Sequence, residues 1–391
     1  MKNKKKKNIL VFSTAYYPFV GGAEVAIKEI TNNLESKFEF DLITARLDKN
    51  LPKIEKIGEI TVYRIGFGKP LLDKLLLPFW GASVAWRLEK TRQYFCMWGV
   101  MVTFATGAGY IFNSIRRFKG KPKIPMVLTL QEGDSEAHLR YRWGGLIALS
   151  WRLALWQTDF LTAISNFLLK RGEKNGYKGR NALIPNGVHV ALFSQKISRS
   201  TQEKLKAALE KTPEDIFLVT TSRLVQKNAT DDIISALLYL PKHVHLVVIG
   251  RGEHGPRLQK QVIDLGLSGR VKFVGFTTYV EIPAYLSVCD IFVRPSRSEG
   301  FGNSFIEAMA AGIPVIATPV GGIPDFIDDK KTGVFCSPDN PKSIAEAVKL
   351  LIGDQHLRKT IVAEARERVI KNYDWKYIAS QMKAKVFEKL G

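Results

Sequence analysis

The chain has 391 residues, more than one ordinary hydrophobic core accommodates, so two domains are expected. Hydrophobic residues at 46% and charged residues at 24% exclude a disordered, collagen-like or low-complexity protein. The net charge is +21, and residues 1–190 carry most of it, with 30 Lys and Arg against 15 Asp and Glu, which points to phosphate-bearing partners.

Lys2 to Lys7 followed by Ile9–Val20 has the outline of a signal peptide, but Pro18 and Gly21-Gly22 interrupt it and Glu24 opens a helix. The reading is instead a buried strand, Ile9–Ser13, then a glycine turn and a helix with Val25, Ile27, Ile30 and Leu34 at helical spacing. Phe40–Thr44 and Ile60–Ile65 are further strands. Gln93–Ile115 has no charge for 23 residues, but its glycines and polar residues suit a strand running into a packed helix better than a membrane span. Met126–Leu130, Phe160–Ile164 and Ala182–Pro185 complete a first parallel α/β domain, placed at 1–190.

A polar helical stretch from about 194 to 214 follows, and the strand pattern restarts with Ile216–Thr221, Val244–Ile249, Val271–Val274, Ile291–Val293, Val315–Ala317 and Gly333–Phe335. A second Rossmann-like domain is placed at 191–372. A C-terminal helix, 373–391, is expected to pack back on the first domain. Two doubly wound parallel sheets in tandem leave a cleft between the carboxyl ends of their strands, where ligands bind. Cys96, Cys289 and Cys336 are scattered and the six histidines show no ligand spacing, so a reducing cytoplasm without a bound metal is expected.

The most informative stretch is Pro295–Pro314. Glu299-Gly300-Phe301-Gly302 is a glycine loop after a strand, and a helix follows whose amides from about Gly302 to Phe305 are expected to point outward as an anion site. Glu299 sits in the loop and Glu307 inside the helix, placed to bind the hydroxyls of a ligand whose phosphates rest on the amides. On residue types alone, an ordinary helix glutamate and a dipole-favoured charge account for the same two positions.

This stretch resembles the E-x7-E signature of the family 4 retaining glycosyltransferases, which have the two-domain GT-B architecture; Ala311–Thr318 and Gly321–Asp325 are similar too. The resemblance implies that Glu299 contacts the donor sugar and Glu307 the nucleotide ribose. It also implies that the backbone from Gly300 and Phe301 through Gly302, Asn303 and Ser304 holds the sugar and diphosphate. Arg223 and Lys227, in Ser222–Asn228, look like the family's diphosphate-binding pair; alone, such a pair is more often solvated surface. Gly250-Arg-Gly252 is similar to the nucleotide-side turn, and Tyr17–Glu24, with Gly21 and Gly22, to the glycine loop near donor phosphates and acceptor. Pro185-Asn-Gly-Val188 matches the entry to the interdomain linker.

One departure falls on the acceptor side. Many relatives have a histidine after the strand Met126–Leu130; here Gln131 takes that position, with Glu132 and Asp134 as nearby carboxylates. The implied activity is metal-independent, retaining transfer of a hexose from a nucleotide sugar to a lipid-linked or surface-glycan acceptor, with no cofactor beyond the donor. The chemistry needs positioned cations for the charge on the leaving phosphate, and no Asp-x-Asp motif of metal-dependent transferases is present. Arg116–Lys123 and the aromatic Tyr141–Trp156 suit a peripheral protein on an anionic membrane, though a core helix with solvated lysines explains them equally. The alternatives are a GT-B sugar-nucleotide epimerase and a non-catalytic nucleic-acid binder; no compact recognition motif supports the latter.

Overall fold

A computed structural model describes residues 6–34, 37–102, 104–133 and 146–390. One compact unit ends at Asn186 and resumes at Trp375; the other runs Gly187–Asp374. The chain therefore leaves the first unit once and returns to it.

In the first unit the strands are β1 (Lys7–Phe12), β2 (Phe38–Ala45), β3 (Ile54–Ile57), β4 (Ile60–Ile65), β5 (Tyr94–Val100), β6 (Met126–Leu130), β7 (Phe160–Ala163) and β8 (Arg180–Leu183). Their order is β3-β4-β2-β1-β5-β6-β7-β8, parallel apart from β3, which pairs antiparallel with β4 through a turn at Gly58–Glu59. Edge strand β3, Ile54-Glu-Lys-Ile57, is too short and polar to show in the sequence. Ile9 to Phe12 are fully buried because helices cover both faces of a parallel sheet. The order reverses between β1 and β5, so the loop after β1 emerges at a topological switch point.

Helix Trp375–Lys385 belongs to this unit. Trp375, Ile378 and Met382 join the core of β1, β2 and β5, and Phe387 stacks edge-on against Trp98 with centroids 6.0 Å apart. On the other face, helices Pro70–Glu89 and Phe104–Phe118 pack closely: a Cβ on Gly81 would lie 2.7 Å from that of Ala108, and one on Gly107 would lie 3.5 Å from Pro78.

The second unit holds β9 (Ile216–Thr221), β10 (Val244–Ile249), β11 (Val271–Gly275), β12 (Ile291–Arg294), β13 (Val315–Ala317) and β14 (Val334–Phe335), all parallel, in the order β11-β10-β9-β12-β13-β14. Its switch point lies between β9 and β12. The loops after those two strands are Ser222–Asn228 and Pro295–Gly302, so the topology brings the two most informative motifs together.

Candidate active site

Four loops meet at the carboxyl end of the second sheet. Ser222–Leu224, after β9, runs against Gly250–Gly252, after β10: Leu224 N–H donates to the Arg251 carbonyl at 3.1 Å, and His254 N–H to the Leu224 carbonyl at 3.0 Å. The approach is so close that a Cβ on Gly250 would overlap the Ser222 carbonyl, and one on Gly252 that of Leu224. Gly250 also has φ 135°, where only glycine is unstrained. The Arg223 side chain is exposed beside this turn; Lys227 is half-buried in the short 3-10 turn Gln226–Asn228.

The loop after β12 is locked to this turn by two arginines. Arg297 N–H donates to the Lys227 carbonyl at 2.8 Å, and its guanidinium binds the Gln226 carbonyl and the carboxylates of Asp231, Asp232 and Asp339. Arg294, the last residue of β12, is buried. Its guanidinium donates to Ser304 Oγ at 2.9 Å, to Asn228 Oδ1 at 2.9 Å and to the Glu299 carboxylate. Asn228 in turn donates to the Arg223 carbonyl at 2.6 Å. A continuous polar chain, Arg223–Asn228–Arg294–Glu299, thus fixes the expected sugar-contacting acid relative to the expected phosphate-binding arginine.

Glu299 is pinned at its backbone as well. Its carbonyl accepts from Gly322 N–H at 3.2 Å, and Gly321, at φ 57°, lies so close that a Cβ would overlap that carbonyl oxygen. Phe301 is buried against Phe326 and Tyr373, with centroids 4.9 and 5.7 Å away, so only its backbone can reach a ligand. Gly302, at φ 97°, begins helix Asn303–Ala311. Of the amides expected to face outward, that of Phe305 closes back on the Gly302 carbonyl at 3.1 Å; before the helix, Gly300 N–H donates to Glu299 Oε1 at 3.0 Å. At the same helix start the Ser304 hydroxyl is held by Arg294.

Glu307 lies on the same helix, half-buried. Burial pushes its pKa up to about 7, against the opposing charges of Arg294 and His189. His189 stacks edge-on against Tyr279 with centroids 5.9 Å apart. Sequence reasoning missed Arg294, Asn228, Arg297 and His189. The strand was read as ending at Val293, yet an arginine continuing a buried apolar run is itself a signal, because a buried charge requires partners. His189 directly follows Pro185–Val188 and carried no other mark.

In the first unit, Gly21 caps helix Gly22–Asn32 in extended conformation. The Glu24 carboxyl, with its pKa raised by burial, folds back onto the amides of Gly21 and Glu24, supplying the helix start with its own anion. Gln131 N–H donates to Glu132 Oε2 at 3.0 Å, and the other Glu132 oxygen accepts from Val102 N–H, so this carboxylate braces two loops. Asp134 lies outside the described residues.

In the basic run 116–123, Arg117 and Lys119 are exposed, and the other three cations have partners. The Arg116 side chain is buried, bound to Glu89 and the Pro122 carbonyl; Lys121 pairs with Glu89 at 3.2 Å and Lys123 with Asp159 at 2.8 Å. In the aromatic stretch 141–156, Trp151 and Leu155 are core residues while Arg152, Leu153 and Trp156 are exposed; 141–145 lie outside the described residues.

Two family models match this chain: Glycosyltransferase Family 4 over residues 20–192 and Glycosyl transferases group 1 over residues 201–368. An uncharacterized glycosyltransferase of Methanocaldococcus jannaschii is 25% identical over 99% of both chains. A GDP-mannose-dependent alpha-(1-6)-phosphatidylinositol monomannoside mannosyltransferase of Mycobacterium tuberculosis is 29% identical over 58% of this chain and 60% of its own length. Among solved structures, sucrose-phosphate synthase from Thermosynechococcus elongatus superposes with a TM-score of 0.82 at 20% identity, covering 98% of this chain and 99% of that one. Anabaena HepE in complex with UDP-glucose superposes at 0.77 and 21% identity, over 97% and 99% of the two chains. At those identities the structural likeness establishes the fold.

Proposed function

Because the chain belongs to the family 4 glycosyltransferases and has their GT-B fold, we propose that it transfers a hexose from a nucleotide sugar with retention of configuration and without a divalent metal. The observation that carries this reading is the polar chain from Arg223 to Glu299 at the switch point of the second sheet. It sets a carboxylate for sugar hydroxyls beside cations for a diphosphate, on loops that brace each other. Cleavage of the sugar–phosphate bond leaves an oxocarbenium-like centre and builds negative charge on the departing oxygens. Arg223, Lys227 and the helix start at Asn303–Ser304 supply the compensating positive potential without a metal ion. The acceptor hydroxyl attacks from the face the nucleotide leaves, and its proton passes to the leaving phosphate oxygen. Glu299 orients the sugar, and Glu307 accepts hydrogen bonds from the ribose.

The acceptor we propose is lipid-linked or a surface glycan, reached at an anionic membrane. The excess positive charge of residues 1–190 supports this, as does the phosphatidylinositol-mannoside activity named for the mycobacterial relative. The test is a hydrolysis and transfer screen of common nucleotide sugars with wild type and Glu299→Gln. The wild type should release nucleoside diphosphate from one donor class, and the variant should fold but not turn over. Near-normal turnover in the variant removes Glu299 from the mechanism; epimerised donor instead of nucleotide release replaces the transferase reading.

A further inference from the structure

Helix Pro70–Glu89 turns two apolar faces outward and inward at once. Asp73, Leu77, Gly81 and Ala85 are buried along one ridge, whereas Leu71, Leu75 and Phe79 form an i, i+4, i+8 stripe on the opposite side with exposures of 67%, 43% and 65%. Leu72 and Trp80 lie beside the stripe, and exposed Phe67 stacks edge-on against Trp80 at 5.2 Å. Exposed Phe104, at the start of the neighbouring helix, extends the surface. Exposed apolar side chains scattered singly need no explanation, but a contiguous run along one helix does.

The charge on this helix is sorted. Both of its acids turn inward: Asp73 is buried and accepts the amides of Leu47, Phe67, Gly68 and Lys69, and Glu89 pairs with Arg116 and Lys121. Lys69, Arg87 and Lys90 remain exposed. A second copy of the chain docking symmetrically would bring these same cations together, so a homodimer is disfavoured on this face. An apolar stripe edged by cations, on a unit with 30 basic against 15 acidic residues in 1–190, matches an anionic lipid surface.

The location suits delivery of an acceptor. The helix links β4 to β5, which both run parallel to β1, so its first turns lie at the carboxyl ends of the first sheet. That end also bears the loop leading to Gly21–Gly22 and the turn at Gln131. Among the described residues no helix is long and apolar enough to cross a membrane, so this one would lie in the interfacial plane. We infer that the exposed face of helix Pro70–Glu89, with Phe67 and Phe104, inserts into the headgroup region of an anionic bilayer. This deepens, and rests on, the proposal of a membrane-borne acceptor.

The test uses the full chain with vesicles of phosphatidylcholine, with and without phosphatidylglycerol. Wild type should sediment with the anionic vesicles at 0.1 M salt and little with neutral ones. Leu71→Ser/Leu75→Ser/Phe79→Ser should lose at least tenfold in partitioning while keeping its circular dichroism and nucleotide-sugar hydrolysis. Because Cys96, Cys289 and Cys336 are buried, a polarity-sensitive dye on Leu75→Cys reports the contact; it should shift to the blue on anionic vesicles, whereas one on exposed Lys242→Cys should not. Three results overturn the inference: wild type that ignores anionic vesicles, a triple variant that binds like wild type, and a concentration-dependent dimer abolished by the triple variant. Hydrolysis is read on the same samples. Vesicle binding without hydrolysis of any donor supports this face and defeats the transferase reading; hydrolysis without vesicle binding defeats this face alone.

Discussion

Glu307→Gln separates what a buried carboxylate contributes to function from what it takes from stability. The Glu307 pKa is lifted from an ordinary 4.5 to about 7 by burial. That difference corresponds to about 3 kcal/mol of destabilisation once the group ionises, a ceiling because part of the residue reaches water. The native state holds the proton more tightly than the unfolded chain, so the fold binds more protons between pH 4.5 and 7. The stability contribution is therefore intact below pH 4.5, falls as pH rises through that window, and is flat above about pH 7. Glutamine keeps the shape without titrating, so the variant should be more stable than wild type at pH 8 by up to about 3 kcal/mol, with the gap closing towards pH 4.5. All seven tryptophans lie outside Gly187–Asp374, so urea unfolding is better followed by circular dichroism than by tryptophan fluorescence. The same titration should appear in binding. If the ionised form accepts the ribose hydroxyls, affinity of wild type for its nucleoside diphosphate should rise about tenfold from pH 6 to pH 8, as the competent fraction goes from about a tenth to most of the protein. The glutamine variant, measured with the same nucleotide, should bind more weakly and lack this rise. Parallel stability curves for the two proteins from pH 4.5 to 8 would refute the assigned pKa, and parallel binding profiles the ribose contact.

Arg294→Met strands the Glu299 carboxylate in a nearly buried position and should destabilise the second unit by about 3–5 kcal/mol, read by urea unfolding. Arg294→Lys keeps the charge but not the fork, so it should regain part of that stability while kcat stays depressed; full recovery of kcat would show that only charge matters there. Gly321→Ala puts a methyl group onto the Glu299 carbonyl at a left-handed φ, and should lower kcat far more than it lowers affinity for the free nucleoside diphosphate. Arg223→Ala and Lys227→Ala should each reduce kcat/KM by about 2–4 kcal/mol in transition-state terms, or roughly thirty- to a thousandfold. Turnover should persist in excess EDTA, and a complete loss restored by magnesium would mean that a metal ion carries the leaving-group charge.

Much of the architecture is written locally. Ile9–Phe12, Ile216–Thr221, Val244–Ile249 and Ile291–Val293 are continuous apolar runs, which only a sheet covered on both faces accommodates, and the helices between them force parallel pairing. The spacing of Glu299 and Glu307, together with the glycines before the helix, carried the family resemblance with no tertiary information. Helix Pro70–Glu89 was illegible for a physical reason: its exposed side is as apolar as its buried side, so no 3.6-residue period survives in the sequence. In Arg116–Lys123 the sequence does not show which charges are taken: Arg116, Lys121 and Lys123 find Glu89 and Asp159 across the fold, while Arg117 and Lys119 stay exposed. The sequence by itself determined the sheet class and the pair of acids, because backbone pairing and a helix start depend on neighbours along the chain. Only the tertiary structure decided that Arg294 joins Asn228 to Glu299 and that Glu307 titrates near neutrality. Asn228 reaches Arg294 across 66 positions of chain and His189 lies still farther from Glu307, and the fold brings such partners close.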